Sequence, residues 1–390
     1  MRIWVLNHNL REEGTWHRAW PLACQLQKHG HEVTIFTVHP RRRLTARCQE
    51  TQGVRVVETP YMGPQRWAAS GLDAWDLCWR WNHIKRGTWD LLYMFSSLPN
   101  VSLPFLAARQ AYPRRYFLAD WDDLFSDGGI YAYLDRGVTR PLYRWERHLE
   151  FHSRAVAHGV TVTSRYLQEK ASSIRQDGRI AYLPTGANVA EIPVVEKLAA
   201  RRKLGLTGQR VIVTFLGGGF NEDGLLLLRA FAQARRANDN LFLLFVGNRD
   251  TRYLNLIEQI GLKDAVLMAG RIPFAEVPWY LGAADLLAMP LHDSVNSRAR
   301  GPIKLRDYLC AGRPIVGTAL GEVAEWLQRF PVGLLAGAES ASFAEQLLKL
   351  AGDEALRCRM GQAARRVAEQ ELSWTVIGQT LETQIRAWFK

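Results

Sequence analysis

Short apolar runs alternate with helical segments along this chain, and this alternation restricts the fold more than any other feature. Residues 3–6 and 32–37 are apolar runs, and residues 16–29 between them have helical periodicity. Strand, helix and strand in this order predict a βαβ unit in a parallel sheet, whose ligands bind at the carboxyl ends of the strands. The same alternation starts again at residues 210–216. The sequence therefore predicts an α/β protein with two sheets.

The point where the alternation restarts divides the chain. A turn-rich segment at residues 184–188 precedes the restart, and 390 residues are too many for one ordinary core. We predict Rossmann-like domains over residues 1–187 and 188–372, and a closing helical segment over residues 373–390. Further strands are predicted at residues 53–59, 91–95, 116–119, 159–163, 179–183, 241–246, 265–268 and 286–289, and a long basic helix at residues 133–156.

Charge and composition narrow the functional classes. Hydrophobic residues make up 47% and charged residues 23% of the chain, as in soluble globular proteins. The 50 Lys and Arg residues exceed the 38 Asp and Glu residues, which favours anionic partners such as nucleotides or phospholipid surfaces, or simply reflects a surface rich in arginine. Because no recognition motif accompanies the charge, nucleic acid is a disfavoured partner.

The cysteines and the lengths of the apolar runs indicate the cellular compartment in which the protein is expected. Five cysteines without metal-like spacing favour a reduced cytosolic setting over a disulfide framework. No apolar run reaches the roughly 18 residues of a membrane span, and the opening residues show no signal peptide, so we expect a cytoplasmic protein. The segment 67–89 holds five tryptophans interleaved with basic residues. Such a segment suits peripheral contact with the inner face of a membrane, or a helix packed on the sheet.

The stretch 300–325, RGPIKLRDYLCAGRPIVGTALGEVAE, has a glycine or proline at each predicted change of direction. Pro302 suits the first turn of a helix, Gly312 suits its end, and an apolar strand follows at residues 315–316. The N–H groups and positive dipole end of such a helix suit a phosphate, to which Lys304 adds charge. The same pattern also fits an ordinary helix–strand unit of an α/β core.

Glycines and carboxylates at strand ends are further candidates. Gly14 follows the first strand and the glycine triplet 217–219 follows the strand at 210–216, where backbone can approach a ligand closely or simply turn. The cluster Asp120-Trp121-Asp122-Asp123 follows another strand. Its carboxylates suit substrate hydroxyls, a metal ion or helix capping. We favour the hydroxyl contact and expect no metal.

Four segments resemble a known family. They read LACQLQKHGHEVTIFT (22–37), LPTGANVAEI (183–192), AGRIPFAEVPWYLGAADLLAMPL (269–291) and KLRDYLCAGRPIVGTALGE (304–322). In order and spacing they resemble the retaining family 4 glycosyltransferases over nearly the whole chain. The resemblance implies a GT-B fold, in which two Rossmann-like β/α/β domains face an interdomain cleft and a C-terminal helix crosses back to the N-terminal domain. The acceptor is expected in the first domain and the donor in the second.

The resemblance also implies roles for individual residues. Asp307 takes the place of the second Glu of the family's E-x7-E motif and would hold the ribose hydroxyls, whereas Ala299 replaces the first Glu. The family usually has an arginine and a lysine after the first strand of the second domain, but residues 221–223 are Asn, Glu and Asp here. Other cations are therefore expected to meet the diphosphate.

The candidate residues form a catalytic group and a donor-binding group. One donor-binding candidate, Glu322, could instead cap its helix. The candidate catalytic residues are Asp122, Asp123, Arg271 and Lys304, and the candidate donor-binding residues are Gly14, Gly217, Gly218, Gly219, Asn296, Ser297, Arg298, Arg300, Gly301, Pro302, Ile303, Asp307 and Glu322. The implied reaction transfers a sugar from a UDP- or GDP-linked donor to a glycan or lipid-linked acceptor, with retention and without a metal or a tightly bound cofactor. Alternatives are a nucleotide-sugar epimerase of the same fold and a degenerate nucleotide-sugar-binding partner, which Ala299 and the acidic residues 222–223 suggest.

Overall fold

A computed structural model describes residues 1–64, 68, 70–134, 139–206, 208, 210–217 and 221–389. Trp67, Gly218 and Gly219 lie outside these residues. The chain forms two compact units. The first unit contains Met1–Thr185, Ala299–Gly301 and Trp374–Lys390, and the second contains Gly186–Arg298 and Pro302–Ser373.

Strands and helices are numbered along the chain. The strands are β1 (Arg2–Asn7), β2 (Glu32–Val38), β3 (Arg47–Thr51), β4 (Val54–Thr59), β5 (Leu91–Phe95), β6 (Tyr116–Trp121), β7 (Gly159–Val162), β8 (Ile180–Tyr182), β9 (Val211–Leu216), β10 (Leu241–Val246), β11 (Val266–Gly270), β12 (Leu286–Met289), β13 (Ile315–Thr318) and β14 (Gly333–Ala336). The helices are α1 (Trp16–Lys28), α2 (Ala74–Arg86), α3 (Pro99–Ala111), α4 (Arg140–Val156), α5 (Arg165–Ile174), α6 (Lys197–Lys203), α7 (Asn221–Ala237), α8 (Thr251–Gln259), α9 (Val277–Gly282), α10 (Val295–Ala299), α11 (Ile303–Cys310), α12 (Gly321–Arg329), α13 (Ser340–Gly352), α14 (Glu354–Gln370) and α15 (Trp374–Trp388).

The first unit is built on an eight-stranded sheet with the order β3-β4-β2-β1-β5-β6-β7-β8. Only the β3–β4 pair is antiparallel among its described strand pairs. The strand order reverses between β1 and β5, and the crevice of such a sheet lies at the carboxyl ends of these strands. The interior strands are almost continuously apolar, because helices cover both faces of a parallel sheet.

The last helix, α15, belongs to the first unit and packs against α1. Leu381 and Ile385 are buried on its inner face. At Gly378 the two helices approach so closely that an added Cβ would lie 2.4 Å from the Gln25 Cβ. The contact also includes a hydrogen bond of 2.6 Å between His31 Nε2 and Glu382 Oε2.

The second unit is built on a six-stranded parallel sheet with the order β11-β10-β9-β12-β13-β14. A buried cluster that includes Phe231, Phe245 and Phe343 packs α7 and α13 on this sheet. The order reverses between β9 and β12, so the carboxyl ends of these two strands form the expected ligand crevice of this unit.

The predicted strands are present, but other elements differ from the sequence interpretation. Strands β3 and β14 were not predicted, because β3 is a polar and mostly exposed edge strand and β14 is an edge strand of only four residues. The long helix predicted from residue 133 begins at Arg140, with Pro141 in its first turn, and residues Ile130–Tyr133 form a separate 3-10 helix.

Candidate active site

The carboxyl ends of β9 and β12 are joined by one side chain of α11. β9 ends at Leu216 and β12 ends at Met289. The Tyr308 hydroxyl accepts a hydrogen bond from the Leu216 N–H at 2.8 Å and donates one to the Ala288 carbonyl at 3.1 Å. These bonds fix α11 at the edge of the sheet where ligands bind.

Lys304, in the first turn of α11, places its ammonium group at the end of β9. Its Nζ donates a hydrogen bond to the Leu216 carbonyl at 3.1 Å and lies 5.0 Å from the centre of the Phe215 ring. Gly217 follows directly, and an added Cβ at Gly217 would lie 2.9 Å from the Phe245 ring. The Lys304 charge therefore lies where the glycine triplet begins.

Acidic residues open α7, which follows the glycine triplet. Asp223 is buried, and its Oδ1 accepts a hydrogen bond from the His292 N–H at 2.8 Å. Glu222 is exposed, and its Oε1 lies 3.8 Å from Nη1 of Arg252. Asp223 thus ties the start of α7 to the loop after β12, which gives this unexpected carboxylate a structural role.

Helix α10 carries three of the candidate donor-binding residues, Asn296, Ser297 and Arg298. Asn296 and Ser297 are buried, and the Asn296 Nδ2 has no hydrogen-bond partner among the described residues. A buried amide without a partner is costly, so this group is a candidate for contact with a ligand oxygen. Arg298 is exposed and donates to both Asp293 oxygens, at 2.7 and 2.8 Å, so a carboxylate already neutralises its charge.

Asp307, on α11, is buried, and its Oδ1 has no hydrogen-bond partner among the described residues. Burial, together with the nearby charge of Glu191, raises the pKa of Asp307 to about 7. A buried carboxyl group with an open acceptor atom suits a ligand that brings hydroxyl donors. The ribose of a nucleotide is such a ligand.

Two other candidates in the second unit contact protein groups. Glu322 is buried in α12, where its Oε2 accepts a hydrogen bond from Trp326 Nε1 at 3.2 Å and lies 3.6 Å from Arg306 Nη2. The residue before α12 is Leu320, and no side chain caps this helix. Arg271 follows β11, two strands away from β9, and donates to the Asn248 side chain.

The residues around the start of α11 belong to different units. Pro302 precedes the helix and Ile303, which is 42% exposed, is its first residue. Residues Ala299–Gly301 group with the first unit. The Ala299 carbonyl accepts a hydrogen bond from the Ser164 hydroxyl at 2.5 Å, and an added Cβ at Gly301 would lie 3.2 Å from the Thr163 Cβ.

The carboxylates at the end of β6 have different environments. Asp120 is fully buried, and the Arg18 guanidinium donates to both of its oxygens at 2.8 Å. Asp122 and Asp123 follow the strand and are partly exposed. Burial, the charge of Asp123 and the charge of Asp120 raise the pKa of Asp122 to about 8. Burial also raises the pKa of Asp123, and the nearby Arg300 opposes this shift. Asp120 is thus a structural ion-pair partner, whereas the surroundings of Asp122 favour its protonated form.

The loop after β6 is held by a residue that the sequence interpretation did not select. Glu150, buried in α4, accepts hydrogen bonds from Trp121 Nε1 and the Phe125 N–H, both at 3.0 Å. It also accepts from the N–H and the hydroxyl of Ser126, at 3.0 and 2.6 Å. Four hydrogen bonds to one carboxylate fix the loop that carries the two outer aspartates. The sequence feature that could have identified Glu150 is its position as a glutamate on the apolar face of a helix.

The loop after β1 contains Gly14 and a second residue that the sequence interpretation missed. Gly14 has a φ of +50°, and an added Cβ would lie 1.9 Å from Asn9 Nδ2, so the turn itself requires glycine. His8 is buried, and its Nδ1 lies 3.2 Å from the Thr15 hydroxyl. Burial and the charge of Arg80 lower the pKa of His8 to about 3, so this imidazole is neutral.

The tryptophan-rich segment combines core packing with exposed surface. Trp89 is buried, Trp79 stacks on His83 at 4.7 Å between ring centres, and Trp75 is 50% exposed. Within the described parts of the chain, no helix has the length and apolar character to cross a membrane. The same residues contain no group of three His, Cys, Asp or Glu side chains that could hold a metal ion.

Comparison with known proteins covers both units. The profile of the family described as "Glycosyl transferase 4-like domain" matches residues 13–186, and that of "Glycosyl transferases group 1" matches residues 196–367. The GDP-mannose-dependent monoacylated alpha-(1-6)-phosphatidylinositol monomannoside mannosyltransferase of Corynebacterium glutamicum is 26% identical over 232 residues, which are 57% of this chain and 60% of that protein. The match therefore spans less than two thirds of that relative.

Two solved structures show the same architecture. Sucrose-phosphate synthase from Thermosynechococcus elongatus has a TM-score of 0.79 at 17% identity and covers 100% of this chain and 99% of its own. Anabaena Alr3699/HepE in complex with UDP and glucose has a TM-score of 0.71 at 15% identity and covers 99% of this chain and 100% of its own. At such identities the likeness shows the fold, and the two family profiles add the family. The chain is a GT-B protein that belongs to the group 1 glycosyltransferases.

Proposed function

We propose that this protein transfers a sugar from a nucleoside diphosphate donor to a hydroxyl acceptor, with retention at the anomeric carbon. The proposal rests on the positions of Lys304 and Asp307 on α11, the helix that Tyr308 holds at the ends of β9 and β12. The Lys304 ammonium lies at the end of β9, and the buried Asp307 Oδ1 has no partner among the described residues. The two residues are three apart on α11 and so share one face of the helix. A cation and an open carboxyl acceptor on one face suit a diphosphate and a ribose.

The reaction depends on stabilising the leaving diphosphate. Negative charge develops on this group as the glycosidic bond breaks, and Lys304 and the N–H groups at the start of α11 would stabilise it. Retention then requires no protein nucleophile, because the leaving phosphate can take the acceptor proton on the same face. Asp122, whose pKa is raised to about 8 by burial and neighbouring carboxylates, would donate a hydrogen bond to the acceptor from its protonated form. The Asn296 amide would donate to the donor sugar in place of the missing carboxylate at position 299.

Two of the relatives suggest which donor nucleotide and which kind of acceptor this protein uses. The Corynebacterium relative is named as GDP-mannose-dependent, and the Anabaena structure contains UDP and glucose. We therefore propose a UDP- or GDP-linked sugar as donor. The relative's name also gives a phosphatidylinositol-based acceptor, and this chain has an exposed Trp75 and a net charge of +12. These features support a lipid-linked or glycan acceptor and peripheral contact with an anionic membrane surface.

The pH dependence of donor affinity tests the role of Asp307. An ionised carboxylate accepts a stronger hydrogen bond than a protonated one, so affinity for the intact nucleotide sugar should rise roughly fivefold as pH increases through about 7. Calorimetric titration between pH 5.5 and 8.5 measures this rise. The intact nucleotide sugar is the right ligand, because its diphosphate lacks the phosphomonoester ionisation near pH 6.

Two variants complete this measurement. Asp307→Asn cannot ionise, and its affinity should be lower and independent of pH. Asp264→Asn removes an exposed carboxylate of the same unit and should retain the wild-type profile. An affinity that falls with rising pH, or an unchanged profile in Asp307→Asn, would show that Asp307 does not bind the donor.

The reaction itself is tested by incubating donor and acceptor with the purified protein. We expect acceptor-dependent release of nucleoside diphosphate, a product anomer identical to that of the donor by proton NMR, and turnover that EDTA does not change. Inversion at the anomeric carbon, or loss of turnover in EDTA with recovery on adding Mg²⁺ or Mn²⁺, would contradict the proposal.

The same assay separates two other activities. An epimer formed from donor alone would identify a nucleotide-sugar epimerase. Donor binding without any turnover would identify a nucleotide-sugar-binding partner, in agreement with Ala299 and the carboxylates at positions 222 and 223.

A further inference from the structure

Four large apolar side chains are exposed together on one surface of the first unit. They come from the loop after β2, the loop after β4 and the residues at the start of α2. We call this set the apolar patch, and its members are Leu44 (60% exposed), Met62 (41%), Leu72 (48%) and Trp75 (50%). Single exposed apolar residues are common on soluble proteins, whereas a contiguous group of them marks an interaction surface.

Hydrogen bonds between the three segments show that the apolar patch is contiguous. Trp75 Nε1 donates to the Leu44 carbonyl at 3.4 Å. Asp73 Oδ2 accepts from the Met62 N–H at 3.1 Å, and Leu72 directly precedes Asp73. The three segments therefore meet, and their apolar side chains share one surface.

Basic side chains border the apolar patch. Three consecutive arginines, residues 41–43, lie exposed in the loop after β2. Arg42 Nε donates to the Gly63 carbonyl at 3.0 Å, and Arg43 Nε donates to the Thr45 hydroxyl at 3.2 Å. Both acceptors are neutral, so they position the guanidinium groups beside the patch without cancelling their charge.

A carboxylate, that of Asp73, also borders the patch. Its Oδ1 caps α2 by accepting from the Asp76 N–H at 2.8 Å. Asp76 is itself buried and paired with Arg80, which neutralises its charge inside the unit. Three arginines beside one capping aspartate leave the surface positively charged, which favours an anionic partner.

The kinds of side chain in this surface match those of proteins that lie on a membrane. An indole ring favours the level of the lipid headgroups, and aliphatic side chains favour the boundary with the acyl chains. Arginines near the surface are attracted to anionic lipids. Charge and apolar character together thus fit the face of an anionic bilayer.

The apolar patch lies at the carboxyl edge of the first sheet, because its loops follow β2 and β4. The crevice at the reversal of strand order begins at β1, two strands away from β4. Neighbouring strands are about 4.8 Å apart, so about 10 Å of sheet separates the patch from the crevice. A bilayer on the patch would therefore hold a lipid-linked acceptor close to the crevice.

We propose that the apolar patch and the arginines at residues 41–43 dock on an anionic phospholipid bilayer. The inference deepens the proposed function and rests on it, because docking would bring the carboxyl edge of the first sheet to a lipid-linked acceptor. Leu72 and Trp75 enter the headgroup region, and the arginines pair with lipid phosphates.

Vesicle flotation of the purified protein, without donor or acceptor, tests this surface. Vesicles of phosphatidylcholine alone are compared with vesicles that also contain phosphatidylglycerol. The double variants are Leu72→Ser/Trp75→Ser for the apolar patch and Arg41→Gln/Arg43→Gln for the charge. The control is Leu254→Ser, which changes a side chain of the second unit that is 44% exposed.

We expect wild type to bind the anionic vesicles and to bind the neutral vesicles much more weakly. Loss of two arginines should weaken partitioning roughly 30-fold, and loss of the two apolar side chains should weaken it roughly tenfold. Leu254→Ser should bind as wild type does. Thermal unfolding checks that each variant is folded.

No binding of wild type to anionic vesicles, or equal binding by wild type and either double variant, would overturn the proposal. Self-association that Leu72→Ser/Trp75→Ser abolishes, seen by sedimentation velocity in the absence of vesicle binding, would show instead that the patch joins two copies of the chain. Nucleotide-sugar affinity, measured by calorimetry in parallel, should be unchanged in both double variants. A failure of docking is therefore distinct from a failure of the donor site.

Discussion

Lys304→Met is expected to lower kcat by about 10²–10³-fold, which is the loss seen when one group that stabilises developing charge is removed. The reason is the scarcity of cations at the end of β9. Residues 222 and 223 are acidic, Arg298 is paired with Asp293, and Arg271 lies two strands away. Lys304 is therefore expected to carry most of the charge stabilisation of the leaving diphosphate.

Steady-state kinetics with a fixed acceptor measure this effect. Lys304→Arg keeps the charge and should retain much of the activity, whereas Lys263→Met removes an exposed lysine of the same unit and should have no effect. Thermal unfolding of all three variants checks that the fold is intact. A kcat within threefold of wild type in a folded Lys304→Met protein would show that another cation serves the diphosphate.

Asp120→Ala is expected to reduce the free energy of unfolding by about 3–5 kcal/mol, because it leaves the Arg18 guanidinium buried without its counter-charge. Arg18 is 3% exposed and donates to both Asp120 oxygens at 2.8 Å. An arginine cannot relieve this state by losing its proton. For a unit of this size the change corresponds to a fall in Tm of roughly 6–20 °C.

Differential scanning calorimetry measures the change, and a surface pair supplies the comparison. Asp90 forms an ion pair with Arg2 in the same unit, with side chains 38% and 45% exposed. Asp90→Ala is expected to change the free energy of unfolding by only about 0–1 kcal/mol. Similar Tm values for the two variants would show that the Asp120–Arg18 pair does not stabilise the first unit.

The fold could be predicted from the sequence because apolar runs in the local sequence mark its buried strands. Apolar runs such as 91–95 and 241–246 coincide with strands β5 and β10, since a strand covered on both faces must be apolar throughout. Strand β3 gave no such signal, because an exposed edge strand buries little apolar surface. The start of α4 was misplaced because aromatic residues before it continue the apolar pattern.

The candidate site was less accessible, because its chemistry depends on contacts between distant parts of the chain. The three aspartates of residues 120–123 look equivalent in sequence, yet Asp120 is bound to Arg18, more than one hundred positions away, whereas burial and neighbouring carboxylates raise the pKa of Asp122. Glu150 and His8 gave no distinctive pattern, and their roles follow from their hydrogen bonds and burial.

The stretch 300–325 shows most clearly which features follow from the sequence and which follow only from the tertiary structure. The sequence by itself determined that a helix starts next to Pro302 and ends before Gly312, because proline and glycine act through the local backbone. It also determined, through its resemblance to a family, that Asp307 was the residue to examine. Only the tertiary structure decided that Lys304 reaches the end of β9, that Asp307 is buried with an open oxygen, and that Glu322 faces Arg306. Side-chain charge and proton affinity depend on solvent exclusion and on neighbours brought together by folding, and neither is encoded in local sequence.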